Sequence, residues 1–302
     1  MLQLCEEYVI AQQSGVDSPG AARLRVDIHG SRPVEHLLSE ATYLNYRLAS
    51  VQVSRDIAEA APGMICYQDA SPKGIRYEDR TLIADGEWYQ GELQKVVVSL
   101  LALRMEMVGL HPFHSSAIRY RDKTILFLGG EENHGKSMSQ IEGSRRGGLV
   151  VSTETTVTDD RGWVVMGSKD VFLRTRSKGT ERADKPDQDQ GVAKFFDDVP
   201  QFIPYYESTD IDLVILPAID GHYDTLVAVL NQFEKEYQTY HSLMNYLGLH
   251  QILAPGLPMP IIDNDELRIK RADFCHRFAQ RPCYMIRAKN PQIVLDEAER
   301  LL

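Results

Sequence analysis

The chain has 302 residues, enough for one large domain or two modest ones with ample core. A net charge of -10, with 43% hydrophobic and 25% charged residues, describes an ordinary globular protein. It argues against a general nucleic-acid or anionic-membrane binder, whose surface needs clustered Lys and Arg. The four cysteines, Cys5, Cys66, Cys275 and Cys283, form no C-x-x-C pair. They read as reduced buried thiols of a cytoplasmic protein, not as a zinc site or disulfide framework. The opening MLQLCEEYVIAQQ lacks a basic leader and carries Glu6 and Glu7, so it is not read as a signal peptide. The longest apolar run, VVVSLLAL at 96–103, is too short to span a bilayer.

In chain order, LRVDIHG (24–30) alternates apolar and polar residues and predicts a half-buried strand. After Pro33, the residues Val34, Leu37, Leu38, Ala41, Leu44 and Leu48 recur at helical spacing. RTLIADGEWY predicts a strand, an Asp85-Gly86 turn and a second strand. Leu93, Val96, Val97, Leu100, Leu101, Met105 and Val108 draw the apolar face of a long helix, with His111 at its Pro-bounded exit. SSAIRYRDKTILFLGG predicts two strands around an RDK turn. A short helix broken by EGSRRGG (142–148) follows, then a buried strand LVVS (149–152) and a hairpin around TDDRG (158–162).

Residues 175–200 are almost wholly polar and without strand or helix period, the composition of a functional flap or a disordered excursion. DLVILP (212–217) predicts a core strand. A helix is expected from about Asp224 with Leu226, Val229, Leu230, Phe233 and Tyr237 on one face, Asp220-Gly221-His222 before it reading as a loop and not a metal box. APGLPMP (254–260) reads as a connection, CYMIR (283–287) as a late strand, and Asn290-Pro291 as the capped start of a closing helix.

The chemistry concentrates in GGEENHGKS (129–137). Gly130, Gly135, Lys136 and Ser137 fit a Gly-x-x-x-x-Gly-Lys-Ser/Thr phosphate loop, preceded by a strand and opening a helix as that motif requires. Backbone N–H groups of such a loop surround phosphate oxygens, aided by the helix dipole. Gly130, Asn133, His134, Gly135, Lys136, Ser137 and Met138 are therefore candidate nucleotide-binding residues, with Asn133 able to take a left-handed backbone. Lys136 is placed to bridge terminal phosphates and Ser137 to ligate Mg²⁺. Glu131 and Glu132 add anions to the loop, to be turned outward or neutralised by cations such as Arg145 or Arg146.

FHSSAIRYRDKTILFLGGEENHGKS, followed by GLVVSTE, resembles the bacterial HPr kinase/phosphorylase and its related small kinases, which share a core with phosphoenolpyruvate carboxykinases. His114, Ser116, Ala117 and Ile118 match the family's first strand. Its acidic pair, metal ligand and base, falls at Thr153 and Glu154, so one carboxylate is kept and one lost. The likeness covers about 110–155, with the closing RPCYMIRAKNPQIVLDEAERLL also similar. No HPr-binding element is recognisable.

The resemblance implies an α/β (α+β) fold, with a smaller N-terminal α+β domain over 1–109 and an HPr kinase/carboxykinase-like P-loop core over 110–302. It implies an ATP- and Mg²⁺-dependent kinase that acts on a hydroxyl of a small metabolite or peptide. His114, Lys136, Glu154 and Arg174 are the catalytic candidates, with Ser137 and Glu154 as metal ligands. Arg174 and Arg176, at the edge of the flap, suit a phosphate clamp. Asp159 and Asp160 read as a hairpin tip. Nucleic acid and membrane are not expected as partners, and a homo-oligomer is left open. A nucleotide sensor with a degenerate loop, or a phosphotransferase using another donor such as pyrophosphate, is the alternative.

Overall fold

The computed structural model describes residues 2–10, 22–30, 41–54, 62–70, 72–88, 90–129, 134–170, 172–175, 190–193, 202–220, 222–247 and 262–302. For 2–10, 41–43, 90, 172–175, 190–193 and 247 the backbone alone is described. The chain is a mixed α/β protein.

β1 (Leu2–Ile10) and β2 (Ala22–Gly30) pair antiparallel, and helix α1 (Ala41–Leu48) leads to β3 (Val51–Ser54) on the other side of β1. The part of the expected helix at 33–40 lies outside the described residues. β4 (Met64–Tyr67), β5 (Gly74–Glu78) and β6 (Thr81–Asp85) complete a sheet of order β3-β1-β2-β4-β6-β5, in which β2, β4 and β6 run parallel. The hairpin in this region is β5–β6, turning at Asp79 and Arg80 with φ of 47° and 63°, a two-residue geometry that matches strand twist. The hairpin expected around Asp85-Gly86 is not there. Gly86 (φ 103°) ends β6, and Trp88 folds back to donate from Nε1 to the Asp85 carbonyl at 2.9 Å. Helix α2 (Gln90–Met107) follows, burying the predicted apolar face except for Val108, which lies beyond its end and is exposed.

β7 (Leu110–His114), β8 (Ser116–Tyr120) and β9 (Lys123–Phe127) come next, so His111 sits on a strand and not at a helix exit. The β8–β9 turn is Arg121–Asp122, again with both residues at positive φ. Helix α3 (Lys136–Arg145) runs through Gly143, later than the break expected from 142. The glycine serves packing: a Cβ there would stand 2.3 Å from Ile118 Cδ1 on β8. β10 (Leu149–Ser152), β11 (Thr155–Asp159) and β12 (Val164–Gly167) follow as read.

Two corrections concern the second half. β13 (Phe172–Thr175) and β14 (Gln190–Ala193) pair antiparallel, so the polar flap contains a strand where none was expected; residues 176–189 and 194–201 lie outside the described residues. After β15 (Leu213–Ile219), the run Leu226–Val229 is strand β16, and helix α4 (Gln232–Leu247) begins only beyond it. The physical reason is a capping box. Asn231 Oδ1 accepts from Glu234 N at 3.0 Å while Glu234 Oε2 accepts from Asn231 N at 2.8 Å, fixing the helix start there. Helix α5 (Asp265–Phe278), capped by Asn264, went unread; β17 (Cys283–Ala288) and α6 (Pro291–Leu301), capped by Asn290, match the reading.

The second sheet has order β10-β8-β9-β15-β17-β16, with β9, β15 and β17 parallel. One face packs on α3 and α6 through Ile118, Phe127, Ile215, Ile286 and Leu295. The other packs through Leu126, Val214, Leu243, Phe274 and Phe278 on α4 and α5. A small sheet, β12-β11-β7, stands beside this second face and carries His114. Cys66, Cys275 and Cys283 are free and buried, and burial pushes each thiol up to about 12. Among the described residues, no helix is long and apolar enough to cross a membrane.

Candidate functional site

The site grows from the C-terminal end of β9. Leu128 N continues the ladder by donating to the Ile215 carbonyl at 2.8 Å, and Gly129 then turns the chain at φ 143°. Gly130, Glu131, Glu132 and Asn133 lie outside the described residues. The chain reappears at His134, whose carbonyl accepts from Ile219 N at 3.2 Å, tying the loop to the end of β15. Gly135 follows at φ 102°, and a Cβ there would stand 2.5 Å from Ile219 Cδ1. Glycine is thus required twice, for a left-handed backbone and for close approach. Gly135 caps α3 with no side-chain hydrogen bond, leaving the positive end of the helix dipole turned into the loop.

Lys136 opens α3 and is buried at 8% exposure. Its carbonyl accepts from Ser116 Oγ at 3.0 Å, which anchors the helix start to β8. Ser137 beside it is half-buried, and Met138 is exposed.

His114 ends β7, its carbonyl held by Ser242 Oγ of α4 at 3.0 Å. Glu154 occupies the turn between β10 and β11. Its backbone is clamped on both sides: Ser115 N and the Tyr246 hydroxyl donate to its carbonyl at 3.0 and 3.1 Å, and its own N–H donates to Ser168 Oγ at 3.0 Å. The carboxylate is 11% exposed, with Oε1 at 2.7 Å from Arg47 Nη1 and 3.3 Å from His114 Nδ1. The Arg47 contact is a hydrogen-bonded ion pair, whereas Nδ1 is out of line and makes no hydrogen bond. Burial first, then the charges of Lys136 and Arg47 and the nearby His241, hold the His114 imidazole well below the usual histidine range. It is neutral at pH 7.

The structure therefore brings Lys136, His114 and Glu154 to one end of the second sheet. Thr153 contributes no ligand: its hydroxyl is buried among Ser168 Oγ, the Ser168 carbonyl and the Asp170 carbonyl, at 3.1, 3.2 and 2.5 Å. It fastens the segment after β12 to the site. Arg174 lies on β13 opposite Gly191, but its side chain, and the whole of Arg176, fall outside the described residues. Asp159 Oδ1 accepts from Arg161 N and Trp163 N, forming the expected hairpin tip at the opposite end of β11 from Glu154. Arg146 pairs with Glu142, Asp296 and Glu299 at the far end of α3, and Arg145 also leans toward Glu142.

Three residues escaped the sequence reading. Arg47 comes from the last turn of α1, and no local signal marks it. His241 and the fully buried Tyr246 come from α4, whose apolar pattern hid them. Asp220, placed by the sequence in a loop, is buried directly after β15, next to Ile219 and hence the glycine loop, with Oδ1 accepting from His222 N at 3.0 Å. Among the described residues no group of three or more His, Cys, Asp and Glu is arranged to hold a metal by itself. No known family model matches the chain, and no curated protein matches it.

Proposed function

We propose that this chain is an ATP- and Mg²⁺-dependent phosphotransferase with a P-loop core of the HPr kinase kind, acting on a hydroxyl of a small metabolite or peptide. One observation carries the reading. A lysine is buried behind a left-handed glycine at an uncapped helix start, with a neutral histidine and a clamped carboxylate gathered at the same end of the sheet. Phosphoryl transfer asks little else of a protein than positioning and charge.

In this reading, N–H groups of the first turn of α3 and the Lys136 ammonium hold the terminal phosphates, and Gly135 lets the backbone come close enough to do so. The donor set suits Mg²⁺, which favours hard oxygen ligands and takes one or two from protein when phosphates and water supply the rest. Ser137 and Glu154 would hold the metal. Bound there, Mg²⁺ would neutralise phosphate charge. Glu154 is also the base nearest the site, able to take the proton of an acceptor hydroxyl. His114, being neutral, acts by hydrogen bonding and not as a counter-ion. Asp220 supplies a further carboxylate beside the loop.

A nucleotide sensor is the second reading, favoured by the Arg47–Glu154 pair, because a carboxylate held 2.7 Å from a guanidinium is engaged in an ion pair and not turned to an acceptor. Calorimetry with ATP–Mg²⁺ on wild type and Lys136→Ala tests the shared core of both. Loss of affinity by about tenfold or more is expected, with an unchanged thermal melt. Equal affinities would remove the phosphate site. ATP consumption across a panel of hydroxylated metabolites and peptides then separates kinase from sensor.

A further inference from the structure

We propose that Arg47 is a second cation of the phosphate site, delivered from the N-terminal part of the chain to the γ-phosphate of bound ATP. The inference rests on the phosphate-site reading above and adds to it a residue from outside the kinase-like core.

The placement of Arg47 is unusually determined. It lies in the last turn of α1, and the two residues after that helix, Ala49 and Ser50, both adopt left-handed backbones at φ 62° and 46°. A side chain disfavours such a backbone, because its Cβ crowds the following carbonyl. Strain of this kind persists where surrounding contacts enforce it and collects at functional sites. Here the contacts are explicit. The Asn45 carbonyl accepts from Ala49 N at 3.0 Å, and Asn45 Oδ1 accepts from Val51 N at 2.6 Å. The Arg47 carbonyl, at a helix end with no further turn to satisfy it, accepts from Thr155 Oγ1 at 2.6 Å. Thr155 is the residue after Glu154, and its hydroxyl also meets Tyr246 at 2.6 Å. The backbone of the arginine is thereby fastened to the side chain that follows the Glu154 turn.

The side chain then reaches the site itself. Its guanidinium ends 2.7 Å from Glu154 Oε1 and is 19% exposed. Glu154 Oε1 in turn lies 3.3 Å from His114 Nδ1, and two residues on, Ser116 Oγ holds the Lys136 carbonyl at 3.0 Å. Arg47 and Lys136 thus stand at the same end of the sheet as one imidazole and one carboxylate. A γ-phosphate carries more charge than a carboxylate and presents paired oxygens that match the planar fork of arginine. With ATP bound, the guanidinium exchanges Glu154 for the terminal phosphate. The ion pair with Glu154 is its resting position, and the exchange also releases that carboxylate for metal or acceptor. An arginine supplied in this manner stabilises the charge that spreads over the transferring group.

The test compares ATP–Mg²⁺ with ADP–Mg²⁺ by calorimetry on wild type, Arg47→Gln and Arg47→Lys. Arg47→Gln should weaken ATP by about tenfold or more and ADP by less than about twofold, because only ATP carries the phosphate in question. Arg47→Lys should fall between, keeping the charge without the fork. The ATP-to-ADP ratio is internal to each protein, so general damage to the fold leaves it unmoved. A ratio in Arg47→Gln equal to that of wild type overturns the inference. Binding that is lost in Lys136→Ala yet unaffected in Arg47→Gln overturns it while leaving the phosphate site standing. Wild type that binds neither nucleotide removes both. Should Arg47→Gln lose its cooperative melt, Glu154→Gln takes its place. Relieved of its internal competitor, Arg47 should then bind metal-free ATP several-fold more tightly, on the order of 1 kcal/mol, with metal-free ADP unchanged. Unchanged ATP binding in that variant rejects the proposal.

Discussion

On β7, His111 lies flat on Phe274, ring centroids 3.7 Å apart, with Nε2 at 2.8 Å from Asp160 Oδ1. Burial lowers its pKa below the usual histidine value; the hydrogen bond to Asp160 and the charges of Glu106 and Asp160 oppose this, and Arg277 assists it. Burial wins, which sets the sign of a pH effect. The unfolded chain takes up a proton near pH 6.5 that the folded chain refuses, so stability present above that pH is lost as pH falls below it. His114 adds a loss of the same sign. His111→Phe keeps the stack on Phe274 and removes one of the two titrations. Its urea midpoint should therefore decline less than that of wild type between pH 7.5 and about pH 5. An equal decline would show that His111 protonates freely in the folded protein. At this scale the site was half legible. The spacing of Gly135, Lys136 and Ser137 is a local pattern, and Glu154 follows a recognisable strand. Arg47 meets Glu154 across 107 positions of sequence, and nothing local to either residue announces that contact.

Between elements, the contact with most at stake is ionic. Arg271 of α5 is 1% exposed and bound by Glu106 of α2 and by Asp263, the latter through Nη1 and Nη2 at 3.2 and 2.8 Å. Burial opposes its charge, but the two carboxylates hold the guanidinium charged. Removing it takes the guanidinium from buried Glu106 and leaves buried Asp263 to Arg268, whose Nε lies 3.5 Å away, so buried charge is left poorly compensated. Arg271→Met should lose about 3–5 kcal/mol in urea unfolding, and adding Glu106→Gln with Asp263→Asn should recover part of the loss. A loss under about 1 kcal/mol would mean that water reaches the carboxylates and that the triad is not dry. None of this was legible, because α5 itself was not. DELRIKRADFCHRF shows a weak apolar stripe, and its clearest mark is the cap, Asn264 Oδ1 accepting from Leu267 N at 3.0 Å. The misread start of α4 has the same origin. Leu226, Val229, Leu230, Phe233 and Tyr237 fit a helical period, while the Asn231–Glu234 box that ends strand and begins helix was passed over.

Across the whole molecule, the first 109 residues and the remainder read in sequence as two units, yet they share one core. Leu24, Met64, Trp88, Val97 and Leu101 belong to the same buried cluster as Val157, Met166, Tyr246, Ile262 and Leu267. Ser99 of α2 donates to the Tyr246 carbonyl at 2.9 Å, Arg47 pairs with Glu154, and Glu106 with Arg271. The apolar contact offers nothing for water to replace, and the ionic contacts are costly to break one partner at a time. Unfolding the N-terminal part alone would expose that shared core, take Glu106 from Arg271 and take Arg47 from Glu154. The free energy of partial opening should therefore approach that of global unfolding. This predicts a single cooperative transition. The chain has two tryptophans, Trp88 in the shared core and Trp163 exposed on the β11–β12 turn. In Trp163→Phe, fluorescence reports the N-terminal part alone, while far-ultraviolet circular dichroism reports every helix and sheet. The two urea curves should superimpose, with equal midpoint and slope. A Trp88 transition at lower urea would make the N-terminal part an independently melting unit. Arg47 would then be a residue the phosphate site can lose before the core unfolds, and its delivery to the nucleotide would depend on that weaker unit staying folded.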